Sequence, residues 1–270
     1  MSSLKNKVVI ITGSASGLGK ALALEFFKEG CHLALIDIDL KGLELLKAEL
    51  KSTTQKISIH IADISKEQQV IAARQKIIDA HQKADILVNN AGISISQTFQ
   101  QADLNDYKHL IDVNFWGTIY CSKHFLNDLK KQNDSRLVNV ISNFALMGFP
   151  GKTTYASSKA AVMAFTNSLK TELIETSVSV CLVIPPPLNT NIVINGKHID
   201  KSKQQNEISF IKKHGMPVDK AAKRIVSKIK KGKYRIVIGT MTFWIDLAAR
   251  MFPTTIHNLV AKNKKRIDFV

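Results

Sequence analysis

A phenol and an ammonium stand four residues apart in Tyr155-Ala-Ser-Ser-Lys159, a spacing that puts both on one face of a helix. An ordinary phenol, with a pKa of about 10, is a poor base at neutral pH. A neighbouring cation favours its phenolate and lowers that value. Such a pair can exchange a proton with a bound group. Ser142 closes the apolar run Leu137–Ser142, whose carboxyl end should face the crevice of an open parallel sheet. Asn114, in Val113-Asn-Phe-Trp-Gly117, adds an amide upstream. Each residue taken alone is as well explained by a solvated helix face or a satisfied core position. Their order along the chain is what carries information.

These groups need something to react with, and Thr12-Gly-Ser-Ala-Ser-Gly-Leu-Gly19 points to a dinucleotide. The stretch follows the strand-like Val8–Thr12 and opens a helical pattern, Gly17–Lys28. Glycines there permit a tight turn and close backbone approach, and the helix start presents N–H groups to a pyrophosphate. The spacing is TGxxxGxG rather than GxGxxG, so context more than motif supports the reading. Asp37 ends the second strand-like run, about twenty residues on, where an acceptor suits a ribose 2′-hydroxyl and repels a 2′-phosphate. Asp39 is close enough to compete for that role. Ser14, Ala15 and Ser16 supply no cation for a 2′-phosphate. NAD is therefore expected in preference to NADP.

The elements that must hold these residues alternate regularly. Strand-like runs at Val8–Thr12, Leu33–Asp37, Ile57–Ala62, Asp85–Asn89, Leu137–Ser142, Val178–Ile184 and Arg235–Gly239 are separated by helix-length segments, among them Leu40–Lys51, Lys66–His81 and Tyr155–Glu175. That rhythm predicts an α/β fold: a doubly wound, seven-stranded parallel sheet with helices on both faces. After Thr190 it lapses into a polar, Lys-rich stretch until about Gly215, and Met216-Pro-Val-Asp219 then reads as a helix entry. No repeat or linker divides the chain, so residues 1–270 are expected to form one domain.

Together these features resemble the short-chain dehydrogenase/reductase family. The matching residues are Thr12-Gly13…Gly17-Leu18-Gly19, Asp63, Asn89-Asn90-Ala91-Gly92, Asn114, Ser142 and Tyr155…Lys159. They span the first strand to Thr190. The resemblance implies Tyr155 as general acid/base, Ser142 as hydrogen-bond donor to the substrate oxygen, and Lys159 on the nicotinamide ribose. It implies Asn114 as holder of a proton-relaying water. Cofactor contacts are implied for Gly13, Ser16, Gly17, Leu18, Gly19 and Asp37. Further along they fall on Asp63 and Ile64 at the adenine, then on Asn90, Ala91 and Gly92. Beyond Tyr155 and Lys159 they resume at Leu188 and Thr190. A homodimer or homotetramer is implied as well. The one clear departure is Pro185-Pro186-Pro187, where the family usually has Pro-Gly. The prolines remove freedom and N–H groups, but Leu188 keeps the N–H expected to meet the carboxamide.

In this family the segments after Ser142 and after Thr190 flank the substrate. Their Phe144, Leu146, Met147, Phe149, Ile192 and Ile194 suggest a hydrophobic, lipid-like or steroid-like alcohol or ketone, with residues 190–215 as the substrate loop. Lys197 or His198 could swing in as a cation. The alternatives are an NADPH-dependent 3-oxoacyl-type ketoreductase, which Asp37 disfavours, and a non-catalytic dinucleotide-binding sensor or scaffold, which the intact reactive set disfavours.

Bulk properties frame the rest. At 270 residues and 45% apolar, the chain can bury one large core. Cys31, Cys121 and Cys181 lie far apart without CxxC spacing, which suggests a reducing, cytoplasmic setting. The N-terminal apolar run is too short for a signal segment or membrane span. Residues 201–270 carry 17 Lys/Arg against 4 Asp/Glu, whereas residues 1–200 carry 21 against 18. Lys outnumbers Arg 32 to 6, so compositional bias is the plainer account of that excess. A nucleic-acid module is disfavoured because the basic tail lacks interleaved aromatics. Residues 242–270 form an apolar, basic extension around Thr242-Phe-Trp-Ile-Asp-Leu-Ala-Ala-Arg-Met-Phe252, where Asp246 and Arg250 are spaced to pair. Packing on the protein itself is expected there. A pocket cap, a dimer contact, or a membrane contact helped by Lys262, Lys264, Lys265 and Arg266 are the lesser readings.

Overall fold

Val-Val-Ile-Ile-Thr, the first strand, buries all of its side chains, as a strand covered on both faces must. The computed structural model describes residues 3–263 apart from Asn191, Asn195 and Ile199. Its strands are β1 (Val8–Thr12), β2 (His32–Asp37), β3 (Ile57–Ile61), β4 (Ile86–Asn89), β5 (Ile95–Ser96), β6 (Ser135–Val140), β7 (Val178–Ile184), β8 (Lys197–His198) and β9 (Arg235–Val237). Seven of them form one parallel sheet in the order β3-β2-β1-β4-β6-β7-β9, while β5 and β8 pair separately. The order reverses between β1 and β4, and the crevice at such a switch point is where α/β sheets bind ligands.

Helices cover both faces. On one, α1 (Gly17–Lys28) packs against α8 (Val218–Lys230), whose Ala221, Ala222, Ile225, Val226 and Ile229 are buried, with α2 (Leu40–Glu49) beside them. On the other lie α3 (Glu67–His81), α5 (Gly117–Lys130) and α6 (Thr153–Glu172), sharing a core with Phe125, Leu129 and Leu169. Helix α4 (Leu104–Ile111) reaches α5 through a π-helical turn, Asp112–Trp116, which holds Asn114.

Three sequence expectations change. Ser142 does not close its strand: β6 ends two residues earlier, and Ser142 precedes a 3₁₀ turn, Asn143–Ala145. The lapse after Thr190 contains a helix, α7 (Lys201–His214), started by the Asp200 carboxylate, which accepts from the N–H groups of Ser202 and Lys203. The tail forms α9 (Thr240–Met251) and α10 (Pro253–Lys262), but α9 turns Thr242 and Asp246 inward and leaves Met241, Phe243 and Trp244 exposed. The reason is an ion pair: Asp246 accepts from Arg235 of β9, Nε at 3.1 Å, and from Arg250 at 3.3 Å. Lys264, Lys265 and Arg266 lie outside the described residues.

Candidate active site

The glycine turn leaves no room for a side chain at Gly13 or Gly19. Gly13 and Gly17 have φ of +65° and +53°, which L side chains rarely adopt. A Cβ on Gly19 would lie 1.9 Å from the Gly13 carbonyl oxygen, and one on Gly13 would lie 2.7 Å from Ala91 Cα. Ser16 does not cap α1 with its side chain, so the first-turn N–H groups stay available to an anion. Asn90 braces the turn by donating to the carbonyls of Thr12 (3.0 Å) and Gly13 (3.1 Å), while Thr12 Oγ1 accepts from Asn90 and Ala91 N–H at 3.0 Å each. Asn89 reaches the other way, donating to Ser122 and to Asn139, which donates in turn to Thr166 on α6.

Asp37 and Asp39 both line the crevice but take different partners. The Asp37 carboxylate accepts from the N–H groups of Ala15 (2.9 Å) and Asp39 (3.1 Å), which fixes it at the end of β2 beside the glycine turn. Asp39 instead caps α2 through the Gly42 N–H. Asp63 uses one carboxylate oxygen on Ser65, and Ile64 packs where a Cβ on Gly117 would otherwise go.

From this turn a crevice of about 580 Å³ runs along the carboxyl ends of the strands to Tyr155. Gly13, Ser16, Gly17, Leu18, Asp37, Asp63, Ile64, Asn90, Ala91, Gly92, Leu188 and Thr190 line it, and Gly19 lies behind the turn. The glycines of the turn, the uncapped helix start and the fixed carboxylate together fit a dinucleotide.

At the far end Ser142, Tyr155 and Lys159 share one wall. Tyr155 and Lys159 lie on the first turns of α6, and both are buried. Lys159 Nζ donates to the Val140 carbonyl at 3.2 Å. A Cβ on Gly92 would sit 3.0 Å from Asn114 Oδ1 and 3.1 Å from Lys159 Nζ, so these two groups converge where only glycine fits. Asn114 spends its side chain on Ile93, accepting from N–H at 2.8 Å and donating to C=O at 3.0 Å, and it also donates to Ser158. Its amide thereby ties the π-helical turn to the strand end and to α6.

The charges differ from the sequence expectation. Burial pushes the Tyr155 phenol up to about 12; a hydrogen bond from Ser142 pulls it back and the Glu207 charge adds to the rise. Lys159 is itself lowered to about 8 by burial. For the phenol, desolvation outweighs the lowering by the Ser142 hydrogen bond.

Sequence reasoning missed a buried ionic node above Tyr155. Lys152, three residues before Tyr155, lies 2.6 Å from Glu207 of α7 and also bonds Ser96 and, at 3.4 Å, Ser94. The other Glu207 oxygen accepts from Ser96 at 3.0 Å and lies 3.0 Å from His198 Nε2. Burial drags the Lys152 pKa down against the pull of Glu207. For Glu207 burial acts upward, but His198, Lys152 and Ser96 outweigh it and hold the carboxyl below its usual range. Lys197, by contrast, pairs with Asp106 at the surface. Phe144 and Ile192 line the crevice with Val193 and Phe210, whereas Phe149 lies off the lining and packs on Phe144, the rings tilted by 50° with centroids 4.8 Å apart. Leu146, Met147 and Ile194 also lie off the lining.

The family model described as short chain dehydrogenase matches residues 7–199. The Mycobacterium tuberculosis protein SadH is 31% identical over 265 residues, spanning 97% of this chain and 96% of that protein. A Burkholderia phymatum short chain dehydrogenase/reductase in complex with NAD superposes with a TM-score of 0.84 at 24% identity, covering 93% of this chain and 94% of that one. A Burkholderia cenocepacia short chain dehydrogenase in complex with NADP gives 0.78 at 22%, covering 96% and 98%. With the sheet order and the glycine turn already described, these matches define the class: the chain belongs to the short-chain dehydrogenase/reductase family. It is an oxidoreductase of alcohols and carbonyls that works with a nicotinamide cofactor.

Proposed function

We propose that this enzyme interconverts a hydrophobic secondary alcohol and its ketone with NAD(H), using Tyr155 as general acid/base. One observation carries the reading: Ser142, Tyr155 and Lys159 share a wall of the same crevice that begins at the glycine turn. The nicotinamide, when bound, supplies or takes up the hydride. In reduction the Tyr155 O–H donates its proton to the carbonyl oxygen, and burial holds the phenol in that donating form. Ser142 Oγ–H bonds the same oxygen and steadies its developing charge. In oxidation the phenolate accepts the alcohol proton. Lys159 holds the ribose hydroxyls and favours the phenolate, and Asn114 keeps the adjoining helix and strand end in register, with a water beside its turn passing protons outward. Asp37 supports NAD over NADP by accepting from a 2′-hydroxyl and repelling a phosphate.

Phe144, Ile192, Val193 and Phe210 support an apolar substrate, with residues 190–215 as the substrate-loop region. The three cysteines are free and buried, consistent with a reducing, cytoplasmic setting. Exposed Phe99, Leu104 and Trp116 offer a surface for a homodimer or homotetramer. The deciding experiment is Tyr155→Phe, assayed against a panel of ketones and alcohols alongside NADH fluorescence titration. Turnover should vanish while NADH still binds. Near-normal turnover would remove Tyr155 from the mechanism.

A further inference from the structure

Helix α9 is built inside out. At about 100° per residue, Met241, Trp244 and Met251 fall within roughly 80° of one another, and Thr242 and Asp246 lie on the opposite side. The polar pair is the buried one: Thr242 is 1% exposed and Asp246 2%, whereas Met241, Trp244 and Met251 are 73%, 58% and 62% exposed. Asp246 is held inward by Arg235 and Arg250, so the helix cannot roll over to hide its apolar face without breaking a buried ion pair. The face continues into the next helix through Phe252 (61%) and Leu259 (60%), with only Ile256 of α10 buried. Large aromatic and Met side chains gathered in one exposed patch mark a contact surface.

Charge says what covers it. Asp246 is the sole carboxylate between residues 240 and 263, and it is buried, so the exposed surface of α9 and α10 bears no acidic group. No Asp or Glu occurs from Leu247 to Ile267, while Arg250, Lys262, Lys264, Lys265 and Arg266 all do. A second copy of a chain with net charge +16 would bring like charges together, and an anionic surface would meet opposite ones. Neither helix can cross a bilayer: among the described residues none is long and apolar enough. Apolar residues flanked by Lys and Arg on short helices suit an interfacial position instead. The patch also adjoins the active-site crevice, since α9 rests on the Asn143–Ala145 turn and His257 of α10 lies beside Gly148.

We propose that α9 and α10 dock this enzyme on an anionic phospholipid bilayer, with Met241, Trp244 and Met251 entering the interface. The surface so placed carries the wall of the crevice with it, so an apolar substrate would exchange with the bilayer beside the site. Binding should strengthen with anionic lipid and weaken as salt is raised.

The test uses the full chain at low salt, floated with phosphatidylcholine vesicles and with phosphatidylcholine–phosphatidylglycerol vesicles. The chain should float with the second and far less with the first. Met241→Ser/Trp244→Ser/Met251→Ser should lose about tenfold or more of that binding. A second measurement leaves the face intact: Trp116→Phe makes Trp244 the only tryptophan, whose emission should move to the blue on anionic vesicles and be quenched by brominated lipid. Protein that stays at the bottom overturns the proposal. So does flotation that the triple substitution leaves unchanged while Trp244 emission stays put, since charge alone would then hold the chain. A doubled mass in vesicle-free buffer that the triple substitution halves would assign the face to a second copy of the chain.

Discussion

Removing Lys152 should expose how much the placement of α7 depends on one buried pair. The ammonium and the Glu207 carboxylate are 2.6 Å apart, and both side chains are almost wholly buried. At an effective dielectric of about 20 their attraction is roughly 6 kcal/mol, which desolvation of the two ions largely cancels. The pair as a whole therefore adds little, but half of it is costly. Lys152→Met leaves a buried carboxylate whose remaining partners are His198 and Ser96, and breaking such a pair costs about 3–5 kcal/mol. Those partners place the loss near 3 kcal/mol. Glu207→Leu strands the ammonium among serine hydroxyls and should cost about as much. The double variant leaves Ser94, Ser96 and His198 short of a partner but no buried charge, so it should lose about 2–3 kcal/mol instead of the sum of about 6. Urea unfolding followed by circular dichroism and by intrinsic fluorescence gives the cycle. A coupling of about 3 kcal/mol or more is expected, at the upper end for neighbouring residues. If the two losses simply add, the pair is not the unit that pins α7 over Tyr155, and the reasoning fails.

Other outcomes follow from the same geometry. His60 and His81 both bond Ser58, at 2.7 and 2.8 Å, and burial lowers each to about 4. The unfolded chain takes up protons near pH 6.5, so stability should be full above that and fall as pH drops from 6.5 towards 4. The loss is about 2 kcal/mol per histidine after allowing for solvent screening, read by urea unfolding at stepped pH, and His60→Asn/His81→Asn should flatten the slope. Asp37→Asn keeps the bulk of the side chain but removes its charge, so NADH affinity should fall roughly tenfold with little change for NADPH, measured by fluorescence titration; an equal loss for both would show only a damaged turn. Gly19→Ala places a Cβ on the Gly13 carbonyl and should abolish NADH binding, whereas Gly17→Ala, with its nearest contact at 3.4 Å, meets φ strain alone and should weaken binding less.

The parts that were legible are those where geometry dictates residue type. Only glycine satisfies Gly13 and Gly19, and an acceptor is needed where Asp37 stands, so these announce themselves at their spacing from β1. Tyr155 and Lys159 are legible for the same reason. Helix α7 was not, because its one buried residue is Glu207 and its apolar period is absent; the capping sequence Asp200-Lys-Ser202 was the available signal. Lys152 reads as one lysine among 32 until α7 is folded over it. The orientation of α9 is illegible in principle. Amphipathicity tells which face is apolar, and only the Arg235–Asp246 pair tells which face is turned inward.

The prolines after β7 make sense once the donors are counted. The ladder to β9 ends with the Ile238 N–H on the Ile184 carbonyl, so beyond Ile184 no strand asks the chain for N–H groups. What the corner must supply is acceptors, and it does: the Pro187 carbonyl accepts from Met216 N–H at 2.9 Å. Pro186 fills the space beside Gly239, where a Cβ would lie 3.5 Å from its ring. Asn189 N–H returns to the Met216 carbonyl at 3.1 Å, and Thr190 N–H to that of Leu188 at 2.8 Å, which closes the turn and sets the Thr190 side chain over Gly17. Among the described residues Leu188 N–H finds no acceptor, although Leu188 is buried and lines the crevice. A buried donor without a partner is costly unless a ligand takes it. Three residues without an N–H thus bring the chain to an N–H at the crevice that has no acceptor among the described residues.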